Sequence, residues 1–210
     1  MQEDDDYIVD FDFCGDWFGL TLRDGTREEA ERLAAEYVAQ FNPLHLRVSK
    51  DALQRQLVQI ALNAFESGPV VVAVAYTEGG TLLADLVVYV YGEDGVRRPS
   101  PQEYLPKLVK WSYAEVKGEP LVAEVELPVG PAVRVQAMLA QKRRFGWGSK
   151  LSESLRYAVW PTGREEILLV EVDWQHFERT DEIVGLVAEL VPTMRLVPTA
   201  PDVQSLRGHH

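Results

Sequence analysis

The stretch that decides the fold is LVAEVELPVGPAVRVQAML, residues 121–139. It opens two runs in which apolar and polar residues alternate, Leu121–Leu127 and Ala132–Ala140, and Pro128–Pro131 separates them. Successive side chains of a β-strand point to opposite faces, so this alternation predicts two strands, each with one apolar face. Because the connection between them is short, the two strands are predicted to be antiparallel.

The rest of the chain extends this pattern into an α+β fold. Changes between strand-like and helix-like spacing predict strands at 17–22, 70–76, 82–91, 155–160 and 166–174, and helices at 26–41, 49–66, 100–112 and 180–191. Helices are separated from runs of strands, which favours α+β over repeated βαβ units. The sequence therefore predicts a mainly antiparallel sheet of about six strands, with an N-terminal helical hairpin and further helices packed on it.

A single domain accounts for most of the chain. A length of 210 residues suits one domain with tails, and we assign residues 16–198 to one α+β domain. Residues 1–15 are predicted to form an acidic, flexible N-terminal segment. Residues 199–210 are predicted to form a C-terminal tail, in which His209 and His210 resemble the remnant of a purification tag.

The composition argues against several classes of protein. A formal net charge of −12 and a pI near 4.8 argue against nucleic-acid binding, which needs clustered lysines and arginines. No apolar run approaches the roughly 20 residues of a membrane helix. Cys14 is the only cysteine, so neither an intramolecular disulfide nor a thiolate metal cluster can form. These features favour a cytoplasmic protein, and we expect Cys14 to be a buried, inert thiol.

No residue pattern indicates catalysis. His45 and His176 are the only internal histidines, too few for a zinc site, which usually has four ligands. The glycine-containing segments lack the spacing and the lysine of a phosphate-binding loop. We therefore expect no enzyme, no metal site and no cofactor.

One pair of carboxylates needs a separate interpretation. Glu124 and Glu126 lie on the same face of a predicted strand. Paired carboxylates perform acid–base chemistry when their environments separate their pKa values. We favour instead a solvated strand face, or pairing with cations such as Arg134 and Arg156 on neighbouring strands.

The segment QKRRFGWGSK, residues 141–150, stands out in this acidic chain because it is basic, aromatic and rich in glycine. One interpretation is a hairpin connection with a polar tip. The other is a contact loop, because aromatic residues and arginines are enriched in the binding hot spots of interfaces. The candidate partner-binding residues are Lys142, Arg143, Arg144, Phe145 and Trp147.

The second half of the chain is similar to a known family. The segments LVAEVELPVGPAVRVQAML, ESLRYAVWP, EEILLVEVDW and DEIVGLVAELVPTMRLV resemble the PsbP-like group of α+β domains, which includes photosystem II extrinsic proteins, the Ran-binding Mog family and mycobacterial LpqN-type lipoproteins. Gly130, Ala132 and Arg134 match a turn of that group, and Tyr157–Pro161 match its next strand. The VELPxGPAVRV stretch also resembles uncharacterised actinobacterial proteins of similar length. The resemblance implies a PsbP-like fold over residues 69–197 and a binding or accessory role, and it identifies no functional residue.

These observations favour a non-enzymatic binding or accessory protein. It would engage a protein partner through the 141–150 loop or an exposed sheet face, and the acidic surface favours a basic partner. One alternative is a small-ligand-binding protein or enzyme with a pocket between helices and sheet, lined by Trp17, Tyr37, Trp160 and Trp174. Another is a structural subunit of a larger assembly, including a homo-oligomer built by pairing of edge strands.

Overall fold

A computed structural model describes residues 7–92, 95–142 and 149–199. Its strands are β1 (Tyr7–Asp10), β2 (Trp17–Gly19), β3 (Val71–Tyr76), β4 (Leu82–Tyr91), β5 (Glu115–Leu127), β6 (Gly130–Lys142), β7 (Ser149–Val159), β8 (Ile167–Trp174) and β9 (Arg195–Pro198). Its α-helices are α1 (Arg27–Val38), α2 (Lys50–Phe65), α3 (Pro101–Leu108) and α4 (Thr180–Leu190). The architecture is therefore α+β, as the sequence predicts.

The main sheet has seven strands in the order β2-β3-β4-β8-β7-β6-β5, and every neighbouring pair is antiparallel. The sheet has seven strands where about six were expected, because all seven predicted strand segments pair in it, including the three-residue strand β2 at one edge. The other edge is β5. Residues on β2 and β5 therefore lie at opposite sides of the molecule's main sheet.

Strands β5 and β6 pair through residues of the stretch 121–139. Pro128 and Val129 alone connect β5 to β6, because Leu127 pairs with Gly130. Gly130 has a φ of 146°, and a Cβ atom there would lie 2.2 Å from the Trp160 carbonyl oxygen. Only glycine accommodates both this backbone conformation and so close an approach of the backbone that follows β7.

Helices begin where the sequence offers side chains that cap them. The side-chain oxygens of Thr26, Ser49 and Ser100 accept hydrogen bonds from the first-turn amides of α1, α2 and α3. Ser100 and Glu103 form a complete capping box, in which each side chain accepts from the other's backbone N–H. These three predicted helix starts are confirmed, whereas the arrangement of α1 and α2 as one hairpin stays a prediction.

The two faces of the sheet are covered differently. On one face, α4 packs over the centre of the sheet, where its Ile183 and Val187 join Leu86 and Val170 in a fully buried cluster. On the other face, α1 and α2 cover β2, β3 and β4, while α3 covers β6, β7 and β8. Polar side chains of the central strands lie between these two groups of helices.

A second, two-stranded sheet joins the ends of the described chain. β1 pairs with β9, and Arg195 binds the carboxylates of Asp10 and Asp12. Residues Tyr7–Asp10 thus form a strand inside the segment expected to be flexible, although the proposed domain boundaries as a whole stay a prediction. The expectation that Cys14 is buried is wrong, because this residue is exposed whereas Phe11 and Trp17 on either side of it are buried.

None of the helices in the described ranges has both the length and the apolar character needed to cross a membrane.

Candidate functional site

The candidate partner-binding residues of the 141–150 loop fall mostly outside the part of the chain that the structure describes. Lys142 is the last residue of β6 and pairs with Ser149 of β7. Arg143, Arg144, Phe145 and Trp147 lie outside the described residues. Their role in partner binding therefore stays a prediction.

The edge strand β5 has two parts. Its register to β6 shifts between Lys117 and Leu121, where Gly118 has a φ of 78° and Pro120 follows. Such irregularities, with proline and lysine, blunt a sheet edge against unwanted pairing. The second part, Leu121–Leu127, pairs with β6 in regular register and contains no such interruption.

We call Leu121–Leu127 the open edge. Within the described ranges it pairs on one side with β6, and the sheet ends on its other side. Leu121 and Val122 are 67% and 47% exposed although both are apolar. The open edge therefore offers apolar surface together with the backbone groups of an edge strand.

The two faces of the open edge differ in chemistry. Leu121, Ala123 and Val125 share one face, and Val122, Glu124 and Glu126 share the other. Both glutamates are exposed, as the sequence predicts for a solvated strand face.

The alternative pairing of these glutamates with sheet arginines is wrong. The residues opposite Glu124 and Glu126 are Val133 and Pro131, which carry no charge. Arg134 lies opposite Ala123, on the other face, and donates to Gln136 over 2.9 Å. Arg156 binds a different carboxylate, in the centre of the sheet.

A buried ion pair forms the first half of what we call the central polar cluster. Arg156 of β7 lies opposite Glu171 of β8, and the residues are 7% and 8% exposed. The Nε and Nη2 atoms of Arg156 donate hydrogen bonds to Glu171 Oε1 over 3.1 and 2.7 Å. Its Nη1 donates to the carbonyl oxygens of Leu108 and Lys110, and its Cζ lies 4.0 Å from the centre of the Trp111 ring. The guanidinium thus ties the end of α3 to the sheet.

A pair of aspartates forms the second half of the cluster. Asp85 of β4 lies directly opposite Asp173 of β8. Burial, together with the charge of Asp173, raises the pKa of Asp85 to about 7. Burial, together with the charge of Glu171, raises the pKa of Asp173 to about 6. The Asp85 residue is nevertheless exposed to solvent. Contact with water therefore weakens the effect of burial and of the neighbouring charges on its pKa.

Tyr113 joins the two halves of the cluster. Its hydroxyl lies 2.9 Å from Glu171 Oε1 and 3.2 Å from Asp173 Oδ2. A phenol has one hydrogen to donate, so it cannot donate to both carboxylates at full strength at once. Ser154 of β7 lies opposite Asp173, and its hydroxyl favours the charged form of this carboxylate, but burial and the charge of Glu171 outweigh this effect. The aspartate pair is therefore set to take up a proton as the pH falls through neutrality.

Sequence reasoning missed this cluster because its members come from separate segments. Asp85 and Asp173 meet only through the register of β4 and β8, two strands that are far apart along the chain. The sequence predicted both strands, but it did not indicate that they are neighbours or in which register they pair. In the described ranges, no three His, Cys, Asp or Glu side chains come together in a way that could hold a metal ion.

The structure also contains a cavity of about 360 Å³ at the C-terminal end of α1. The four aromatic residues expected to line a pocket are not among its lining residues. Trp17 and Trp174 belong to the core under α4, Tyr37 of α1 packs against the core under α1 and α2, and Trp160 belongs to the core under α3. Those four side chains therefore serve three separate parts of the core.

Comparison of the chain with models of protein families and with curated proteins found no match. Function is therefore inferred from the chemistry of the described residues.

Proposed function

We propose that this protein is a non-enzymatic binding protein that takes up an extended segment of a partner protein along the open edge. The observation that carries this proposal is the regular edge strand Leu121–Leu127 at the end of the sheet, in which residues 121–124 are all exposed. An extended peptide can add a strand to such an edge, where backbone hydrogen bonds give affinity and alternate side chains give specificity.

The side chains of the open edge define the chemistry of the partner. On one face, Leu121, Ala123 and Val125 favour apolar residues in the added strand. On the other face, Glu124 and Glu126 favour lysine or arginine. The net charge of −12 also attracts a basic segment and repels an acidic one. The partner segment is therefore extended, with apolar and basic residues in alternation.

A second copy of the chain is a less suitable occupant of the open edge. Pairing of two such strands would bring Glu124 and Glu126 of both copies together, and like charges on paired strands are destabilising. The bulge with Gly118 and Pro120 shortens the edge that is free for self-association.

Other assignments accompany this proposal. The loop residues Lys142, Arg143, Arg144, Phe145 and Trp147 are proposed as an additional contact, because aromatic residues and arginines are enriched in the binding hot spots of interfaces. The PsbP-like fold family is proposed from the resemblance of residues 69–197. A cytoplasmic location is proposed from the presence of a single cysteine.

A charge exchange on the open edge tests the proposal. The probes are two heptapeptides with blocked ends, Thr-Lys-Val-Lys-Val-Lys-Thr and Thr-Glu-Val-Glu-Val-Glu-Thr. We expect the native protein to bind the lysine peptide at least about fivefold more tightly, because each cross-strand charge pair contributes about 0.2–1 kcal/mol. The double variant Glu124→Lys/Glu126→Lys should reverse this preference. Dissociation constants from NMR titration measure the effect.

The control variant Glu66→Lys/Glu189→Lys changes the net charge by the same amount on the exposed surfaces of the end of α2 and of α4. It should reduce the preference for the lysine peptide only slightly. If both double variants shift the preference equally, binding follows net charge alone and strand addition at the open edge is wrong.

A further inference from the structure

We infer that the cavity at the C-terminal end of α1 binds a small organic cation with an aromatic or apolar body. This site goes beyond the proposed strand addition, and it lies beside β2, at the opposite edge of the sheet from β5. Its volume of about 360 Å³ falls in the range of natural small-ligand sites.

Three aromatic side chains form one wall of the cavity. Phe18, Phe41 and Tyr76 line it, and each is at most 8% exposed. The ring centres of Phe18 and Phe41 are 5.2 Å apart, and those of Phe41 and Tyr76 are 6.2 Å apart. Aromatic ring faces attract cations, and their apolar area binds a hydrophobic body.

Carboxylates supply the charge of the site. Asp16 and Glu78 both line the cavity. Asp16 has two carboxylates, Glu182 and Glu78, among its neighbours, and together with burial their charges raise its pKa. The cation that acts on it, Arg179, forms its own ion pair with Glu182. A ligand ammonium group beside Asp16 would add positive charge there.

The polar groups around the carboxylates suit a donor-rich ligand. His45 Nδ1 lies 3.1 Å from Glu78 Oε2, and Asn42 Nδ2 lies 3.5 Å from the other ring nitrogen. The His45–Glu78 contact holds Glu78 at the cavity wall, and the Glu78 side chain remains 81% exposed. The second oxygen of this carboxylate is therefore accessible to a ligand donor.

The hydroxyl of Tyr76 lies behind this aromatic wall. Tyr76 is 1% exposed, and its buried hydroxyl oxygen has no hydrogen-bond partner among the described residues. The charged group that acts on this hydroxyl is Asp85 of β4, which does not line the cavity. A buried hydroxyl without a partner destabilises a protein, whereas phenylalanine would fill the same space without this cost.

The probes for this site are tyramine and tyrosol, which share a phenol ring and a two-carbon chain but end in an ammonium group and a neutral hydroxyl, respectively. We expect calorimetric titration of the full chain to give an affinity for tyramine at least about tenfold higher than for tyrosol, because only the ammonium is attracted to Asp16. The variant Asp16→Asn should remove most of this difference. The control Asp24→Asn lies in the turn before α1, away from the cavity, and should retain it.

A second variant separates ligand binding from folding. Tyr76→Phe should leave tyramine binding unchanged, because the buried hydroxyl does not reach the cavity, and it should raise the Tm of the free protein by a few degrees because the unpaired hydroxyl is gone. Equal affinities for tyramine and tyrosol, absence of tyramine binding, or unchanged binding by Asp16→Asn would each overturn the inference. A fall in Tm with Tyr76→Phe would show that the hydroxyl has a partner in the free protein. These outcomes are independent of peptide binding at β5.

Discussion

Replacing Arg156 with methionine is expected to lower the free energy of unfolding by about 3–5 kcal/mol. Methionine fills much of the space of the arginine stem, so lost packing is a minor part of this effect. The large part arises because Glu171, which is 8% exposed, would keep a buried negative charge without its partner. The carbonyl oxygens of Leu108 and Lys110 would lose their donor as well. Urea unfolding followed by tryptophan fluorescence measures the change.

The same substitution at Arg134 is the matched control. Arg134 lies on β6, the strand next to β7, is partly buried and donates to a neutral amide, that of Gln136. Arg134→Met should therefore cost less than about 1 kcal/mol. The double variant Arg156→Met/Glu171→Leu should lose less unfolding free energy than the two single variants lose when their losses are added. The reason is that the double variant leaves neither charge buried without its partner. A cost below about 1 kcal/mol for Arg156→Met would show that the ion pair is not buried.

Replacing Asp85 with asparagine is expected to stabilise the protein by about 2 kcal/mol at pH 8. A folded-state pKa of about 7 lies about three units above that of an unfolded aspartate, which corresponds to about 4 kcal/mol. We expect about half of this value because the exposed side chain retains contact with water. Asparagine carries no charge at any of these pH values, so it removes the repulsion from Asp173 and Glu171.

The sign of the pH dependence follows from the direction of the pKa shifts. Asp85 and Asp173 have raised pKa values, so the folded state binds their protons more tightly than the unfolded chain. Their contribution to stability is complete below about pH 4 and is lost as the pH rises through about 6 and 7. The difference in unfolding free energy between Asp85→Asn and the native protein should therefore grow from pH 4 to pH 8.

Carboxyl NMR gives an independent reading of the aspartate pair. In Asp173→Asn the pKa of Asp85 should fall toward its ordinary value, because the charge of Asp173 is one of the causes that raise it. The control Asp24→Asn changes the net charge equally in an exposed turn and should leave the pKa of Asp85 unchanged. A stability difference that does not vary with pH would mean that Asp85 titrates as an ordinary surface carboxylate.

Local features of the fold were predictable, and long-range pairing was not. Alternation in residues 121–139 predicted β5 and β6, and the capping residues Thr26, Ser49 and Ser100 predicted helix starts, because each signal depends on neighbouring residues. The short strands β1 and β9 join the two ends of the domain, and nothing local in Tyr7–Asp10 indicates its partner.

In the candidate sites, too, the features set by neighbouring residues were predictable and those set by long-range pairing were not. The exposed Glu124 and Glu126 were correctly placed on one strand face, because strand periodicity alone determines this. The position of β5 at the sheet edge depends on β8 pairing with β4, which is a property of the whole topology. The Asp85–Asp173 pair and the cavity with Asp16 and Tyr76 likewise arise from contacts between distant segments.

Hydrogen exchange of backbone amides, followed by NMR in the full chain with and without the lysine heptapeptide, tests strand addition most directly. We expect the peptide to slow exchange in Leu121–Leu127 by about tenfold or more, because added backbone hydrogen bonds protect the edge amides. Exchange in α1 and in β2 should be unchanged. Slowed exchange confined to other elements, or no change in β5 at peptide concentrations that saturate binding, would contradict strand addition at the open edge.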